Sequence, residues 1–162
     1  MLDHHYAVDL TWTGSRGVGT TSYRSYGRDV VLTSEGKQHE IAGSADRTFH
    51  GDADRWNPEE LLLGALSQCH LLSYLHVAAK HGVVVVGYSD DAIGTMAQTA
   101  DGGGHFTAAT LRPRVTIADP DQADLAQALH AEAGKACFIA ASVNFPVGHE
   151  PVTIIAEPAS LL

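Results

Sequence analysis

The sequence predicts an α+β fold on three observations. Segments of alternating apolar and polar residues crowd the first third of the chain. A long apolar helical pattern starts at Asn57-Pro58, and the remainder reads as hairpin, helix and strand in turn. With 162 residues, 44% of them apolar and 18% charged, the chain is long enough for one domain, 1–162, with a real core. No internal repeat or low-complexity segment interrupts it.

The elements follow in order. Residues 6–12, YAVDLTW, alternate as a half-buried strand does, and the glycine-bounded segment 14–19, GSRGVG, turns the chain. A second strand lies within YGRDVVLTSEGK and a third within QHEIAGSA, giving an antiparallel meander. In DRWNPEE, Asn57 is an N-cap candidate, Pro58 suits the first helical position, and Glu59 and Glu60 complement the positive end of the helix dipole. Apolar residues recur at helical spacing until Lys80, His81 and Gly82 supply cations and a stop. This helix, about 36 Å long at 1.5 Å per residue, is apolar around much of its girth, which predicts a buried central position. Residues 83–118 read as a hairpin with DGGGH at its tip, 120–135 as a second helix, and 136–157 as a closing strand.

Composition removes several functions. The formal charge of −9 leaves no basic field for a phosphate backbone, so no nucleic-acid partner is expected. The N-terminal residues lack the pattern of a signal peptide, and no run was expected to be apolar enough to cross a bilayer; the expectation is a cytoplasmic protein without a membrane partner. Ten histidines invite a metal, but no CxxC or HExxH motif is present, and neither His70 nor His76 stands at i, i+4 from Cys69. No metal or cofactor is expected.

The two cysteines leave two readings open. Free cysteine is often an inert core residue. Cys69, however, lies among Ser67, Gln68 and His70, and a second cysteine, Cys137, stands beside the second predicted helix. Two such thiols could act in turn, one attacking a peroxide and one condensing with the resulting sulfenic acid. An arginine is the natural partner of a thiolate; Arg16 in the glycine-rich turn is one candidate, and Arg24 and Arg28 compete with it.

The segment NPEELLLGALSQCH, followed by LSYLHVAAKHGVVVVGYSDDA, Cys137 and SVNFPV, closely resembles the OsmC/Ohr family of osmotically inducible and organic hydroperoxide resistance proteins. The resemblance covers most of the chain and is most specific in NPEELLLGALSQC. It implies an intertwined homodimer with long central helices flanked by antiparallel sheets. The implied activity is reduction of organic hydroperoxides, with an external dithiol such as a lipoylated protein as reductant. By that likeness Cys69 is the peroxidatic cysteine, Cys137 the resolving one, and Glu59 the carboxylate that pairs with the arginine, here Arg16. The sequence Cys137-Phe138-Ile139 departs from the Cys-Pro of the typical Ohr branch and places the chain in an OsmC-like branch. Ten residues, about 15 Å, separate Glu59 from Cys69 on one helix and on different faces, so a site using both calls for a second subunit. A non-catalytic protein binding a small ligand in the same apolar region, or a thiol redox sensor, are the alternatives.

Overall fold

The computed structural model describes residues 2–157. Their contacts fall into two compact units that divide between Leu62 and Leu63, within the long helix, where the sequence predicts one domain.

The first unit contains a three-stranded antiparallel sheet of β1 (Asp9–Trp12), β2 (Val30–Thr33) and β3 (Ile41–Gly43), in that order, with Trp12 opposite Val30 and Val30 opposite Gly43. The expected meander is present, with β1 shorter than the alternation suggested. The long β1–β2 connection is pinned at its base: Gly27 N–H donates to Gly14 O at 2.7 Å and the Trp12 indole N–H to Gly27 O at 2.9 Å. A Cβ on Gly14 would collide with the Gly27 carbonyl, which is why glycine stands there. Among the described residues of this unit the buried ones are Gly14, Gly27, Gly43 and Ser44, none with a sizeable apolar side chain. Leu10 is 62% exposed, and Trp12, Ile41 and Trp56 are exposed with it.

Helix α1 (Pro58–Lys80) starts and stops as its sequence dictates. Asn57 and Glu60 form a reciprocal capping box: Glu60 N–H donates to Asn57 Oδ1 at 2.8 Å, and Asn57 N–H to Glu60 Oε2 at 3.2 Å. At the other end Gly82 adopts φ 74°, and Val83 N–H reaches Ala78 O while Gly82 N–H reaches Ala79 O, the Schellman arrangement. The helix is not buried all round. Leu66, His70, Tyr74, Val77 and Ala78 form one buried stripe, whereas Leu72 is 58% exposed. By length and composition α1 is also apolar enough to cross a bilayer, with mean hydropathy 1.3, contrary to the sequence expectation. Its buried stripe nevertheless belongs to a protein core that includes a histidine.

The second unit corrects the C-terminal half of the reading. Residues 83–118 form four strands rather than one hairpin: β4 (Val85–Asp90), β5 (Ile93–Gln98), β6 (Gly104–Leu111) and β7 (Pro113–Ile117). Only β5–β6 is the hairpin; β4 instead pairs with β7. After α2 (Ala123–Ala136), the expected single strand is two, β8 (Val147–His149) and β9 (Val152–Ile155), which add in parallel to β6 and β7. The sheets, ordered β4-β7-β9 and β5-β6-β8, are therefore mixed rather than antiparallel. The chain changes sheet over a few residues from β4 to β5, from β6 to β7 and from β8 to β9, and these breaks are tied together. Arg112 N–H donates to Asp90 Oδ1 at 2.7 Å and Glu150 N–H to Leu111 O at 2.8 Å, while Pro113 and Pro151 supply no N–H to continue a ladder.

The main core packs Tyr74, Val77 and Ala78 of α1 with Ala126, Leu129 and Ala133 of α2 and Val115 and Ile117 of β7. A second cluster joins Leu66 to Ala109 and Leu111 of β6, with Ile139 and Phe145 against it. Replacing the α1 cap by Asn57→Ala should lower stability by about 1 kcal/mol, read as a reduced denaturation midpoint at unchanged m value, and Asn57→Asp should restore most of it.

Candidate active site

Two elements of the second unit bring the cysteines together. Cys69 lies midway along α1, half buried, and Cys137 is the C-cap of α2, 1% exposed. Their side chains are neighbours, close enough for Cys69 to bear on the ionisation of Cys137. The turn after α2 presents consecutive amides to both sulfurs: Ile139 N–H points at Cys69 Sγ and Ala140 N–H at Cys137 Sγ, each at 3.5 Å. Both cysteines are free thiols.

The two thiols are not equivalent. Burial pushes the Cys137 thiol up to about 11, and the adjacent Cys69 sulfur adds to the rise. Its place at the end of α2, where the helix dipole is negative, acts in the same sense. Cys137 is thus held as a protonated thiol at neutral pH.

The other predicted residues lie in the first unit. Arg16 sits in the 14–19 turn with φ 51°, exposed, and shares the border of one small cavity with Arg24 and Arg28. Glu59 is in the first turn of α1, and its buried Oε2 has no hydrogen-bond partner. Among the described residues no ion pair joins Glu59 to an arginine within the chain.

Behind Cys69 the structure places a cluster that spacing alone did not disclose. His70, His130 and His149 gather in the interior, from α1, α2 and β8. His70 Nε2 and His130 Nδ1 are 3.0 Å apart, one donating and the other accepting. The His149 ring lies 4.2 Å from that of His70, and Tyr74 stacks on His130 at 4.1 Å while donating its hydroxyl to Ala126 O. Burial holds His70 down to about 3 and His130 to about 4, helped by the neighbouring imidazoles, and burial also lowers His149. Asp90 opposes the depression at His70 and His149, but its carboxylate is engaged by Ser67 Oγ and Arg112 N–H. Gly134 makes the room: a Cβ there would come 3.0 Å from His149 Cε1. The available signal was His130 in the apolar stripe of Ala126, Leu129 and Ala133 on α2. Among the described residues no three His, Cys, Asp or Glu side chains converge as metal ligands.

Comparison with known proteins places this arrangement. The family described as OsmC-like protein matches residues 51–150, which include both cysteines and all three clustered histidines. The chain belongs to the OsmC-like protein family. An OsmC-like protein of unknown function from Vibrio cholerae is 28% identical and superimposes with a TM-score of 0.80, over 93% of this chain and 100% of that one. The Bacillus subtilis protein YmaD is 27% identical over 150 residues, 89% of each chain. The organic hydroperoxide resistance protein OhrB of Bacillus subtilis shares the fold, with a TM-score of 0.62 over 92% of this chain and 98% of its own at 18% identity. The α+β architecture is thus that of the OsmC and Ohr proteins.

The histidine cluster fixes a pH dependence for this OsmC-like chain. The folded values lie below the ordinary 6.5, so between about 4 and 6.5 the unfolded chain binds more protons than the folded one. Stability is then full above 6.5 and falls as pH drops through this window, by up to about 1.4 kcal/mol per pH unit for each histidine. Denaturant titrations from pH 7.5 to 4.5 should show this slope, and His130→Leu should reduce it.

Proposed function

We propose that the chain is a thiol-dependent peroxidase for organic hydroperoxides. The observation that carries this reading is the pairing of Cys69 with Cys137, one held as a buried thiol beside the other. In the first step the Cys69 thiolate attacks the distal peroxide oxygen. The O–O bond breaks, an S–O bond forms, and the alkoxide takes up a proton to leave as the alcohol; Cys69 is then a sulfenic acid. In the second, the Cys137 sulfur displaces water from it and the disulfide forms. An external dithiol, such as a lipoyl group on a protein, restores both thiols and is itself oxidised to its disulfide.

The substrate preference follows from the surroundings. Ile139 and Phe145, part-buried at the edge of the Leu66–Leu111 cluster, adjoin the turn that touches Cys69, and such apolar surroundings suit an alkyl chain better than hydrogen peroxide.

Two further features support a homodimer. The β1-β2-β3 sheet has no apolar core of its own, and Glu59 Oε2 is buried without a partner in the chain. A second subunit would cover the sheet and complete the site, with Arg16 stabilising the thiolate and Glu59 orienting the arginine. Sedimentation equilibrium should give twice the chain mass; a monomer would remove the basis for those two roles.

The chemistry is tested by thiol counting and mass spectrometry. One equivalent of cumene hydroperoxide should consume both thiols of the wild-type protein rapidly. Cys69→Ser should abolish turnover, and Cys137→Ser should complete the first oxidation but accumulate one or more added oxygens on Cys69. Slow loss of neither thiol would instead indicate a ligand-binding protein, and oxidation without sustained turnover with dithiol would indicate a sensor.

A further inference from the structure

The second unit holds a cleft that the thiol chemistry does not use. It has a volume of about 370 Å³ and lies between the C-terminal turns of α2, the turn that follows them and β8, with His130, His149 and the exposed Lys135 among its lining residues. A space of this size falls in the range of pockets that take small organic molecules. The cleft borders the turn whose Ala140 N–H reaches Cys137 Sγ, but neither sulfur lines it.

The histidines bring unmet hydrogen-bonding capacity to this place. His130 is 3% exposed; its Nδ1 is taken by His70 Nε2 at 3.0 Å, and its buried Nε2 has no partner. His149 Nε2 is likewise buried without one. Either tautomer of His130 leaves the same atom unpaired: with Nδ1–H donating to His70, Nε2 is an unused acceptor, and with Nδ1 accepting, it is an unused donor. Buried polar atoms without partners are costly and uncommon in a folded protein, and two of them belong to residues of one cleft.

The walls leave room beside these rings. Gly134, Ala140 and Ala141 bring nothing larger than a methyl group into the space, and a Cβ on Gly134 would come 3.0 Å from His149 Cε1. Beneath the cleft the Tyr74 and His130 rings stack at 4.1 Å and the His70 and His149 rings lie 4.2 Å apart. Its two imidazoles thus belong to an aromatic assembly that a further flat ring can join.

Charge decides the class of ligand. Burial holds both imidazoles below the ordinary histidine value, so they are neutral near pH 7. Lys135 stands in the last turn of α2, where its charge offsets the carbonyls of the helix end, and no carboxylate lines the cleft. An anion would therefore meet the negative end of a helix with one exposed ammonium to hold it. A metal ion would meet two imidazoles beside that ammonium, with no third ligand converging on them among the described residues. We infer that this cleft binds a small uncharged nitrogen heterocycle, a flat ring that carries both a hydrogen-bond donor and an acceptor for His130 and His149. Such a ligand serves either tautomer. The inference goes beyond the thiol chemistry and does not depend on it.

Titration of the full isotope-labelled chain with pyrazole at pH 7.5, followed through the histidine ring-nitrogen resonances, tests it. Pyrazole should saturate at one site per chain and shift the His130 and His149 nitrogens, while those of the exposed His76 and His105 stay in place. Sodium acetate and zinc chloride, titrated separately, should leave His130 and His149 unmoved. His149→Phe, which keeps a ring without its nitrogens, should weaken pyrazole binding about tenfold. Ala141→Leu, at an exposed position on the wall, should weaken it at least as much by filling the space, and Ala79→Leu, exposed on α1 outside the cleft, should not. The inference fails if pyrazole does not saturate, if acetate or zinc binds at these two rings more tightly than pyrazole, or if Ala141→Leu binds as wild type does. Because binding is read in the absence of peroxide, failure here leaves the thiol reading untouched, and the Cys69→Ser chain should bind pyrazole as wild type does.

Discussion

The contact between α1 and α2 through Tyr74 and His130 is the constraint on which the thiol site depends. Tyr74 stacks on His130 and donates its hydroxyl to Ala126 O, so one side chain of α1 grips α2 at two successive turns. His70, one turn earlier on α1, hydrogen-bonds Nδ1 of His130. With α2 held at Ala126 and His130 in this way, its C-terminal end is fixed against the turn of α1 that carries Cys69. Ser73 Oγ, donating to Ala136 O at 3.4 Å, closes the last gap before Cys137. The sulfur pair is therefore a product of helix packing and not of any local motif.

Building that grip from histidines has a physical consequence. An apolar replacement would fill the same volume, but an imidazole in the interior must stay neutral or bring a partner. Here burial disfavours charge on all three rings, His149 adds to the effect at His70 and His130, and the hydrogen bond between His70 and His130 needs one proton, not two. His70 Nδ1, His130 Nε2 and His149 Nε2 have no hydrogen-bond partner, so the stack stabilises through ring contact and shape more than through polar pairing. The core is well determined at neutral pH and conditionally so in acid.

What the sequence made legible was local. Asn57-Pro58 with Glu60 is a start signal that acts within one turn, and Lys80-His81-Gly82 a stop signal that does the same, so α1 was readable to within a residue. The four strands between Val85 and Ile117 were not, because Asp90 to Ile93 and Leu111 to Pro113 change sheet within a few residues and carry no glycine to mark a turn. β8 and β9 join in parallel across long stretches of chain, a pairing that alternation cannot announce. The cysteine residues were legible as types, but their proximity is a tertiary fact across two helices. The histidines were hidden for a related reason: each belongs to a different element.

The asymmetry of the two sulfurs follows from where α1 and α2 place them. Cys69 is in a helix interior, with backbone hydrogen bonds on either side that hold its Cα in place. Cys137 is a C-cap with extended backbone, φ −78° and ψ 107°, where the helical ladder has ended. Its Sγ is held by burial, by Ala140 N–H and by its neighbour, not by helical backbone. A bond between the sulfurs would therefore be accommodated by adjusting the 137–140 turn, leaving the Tyr74–His130 contact and the core beneath it in register. In the proposed reaction the thiol held within the helix would meet the substrate, and the one at the helix end would meet the oxidised sulfur. That division of labour needs one sulfur within a helix and one at a helix end, which is the arrangement that packing α2 against α1 provides.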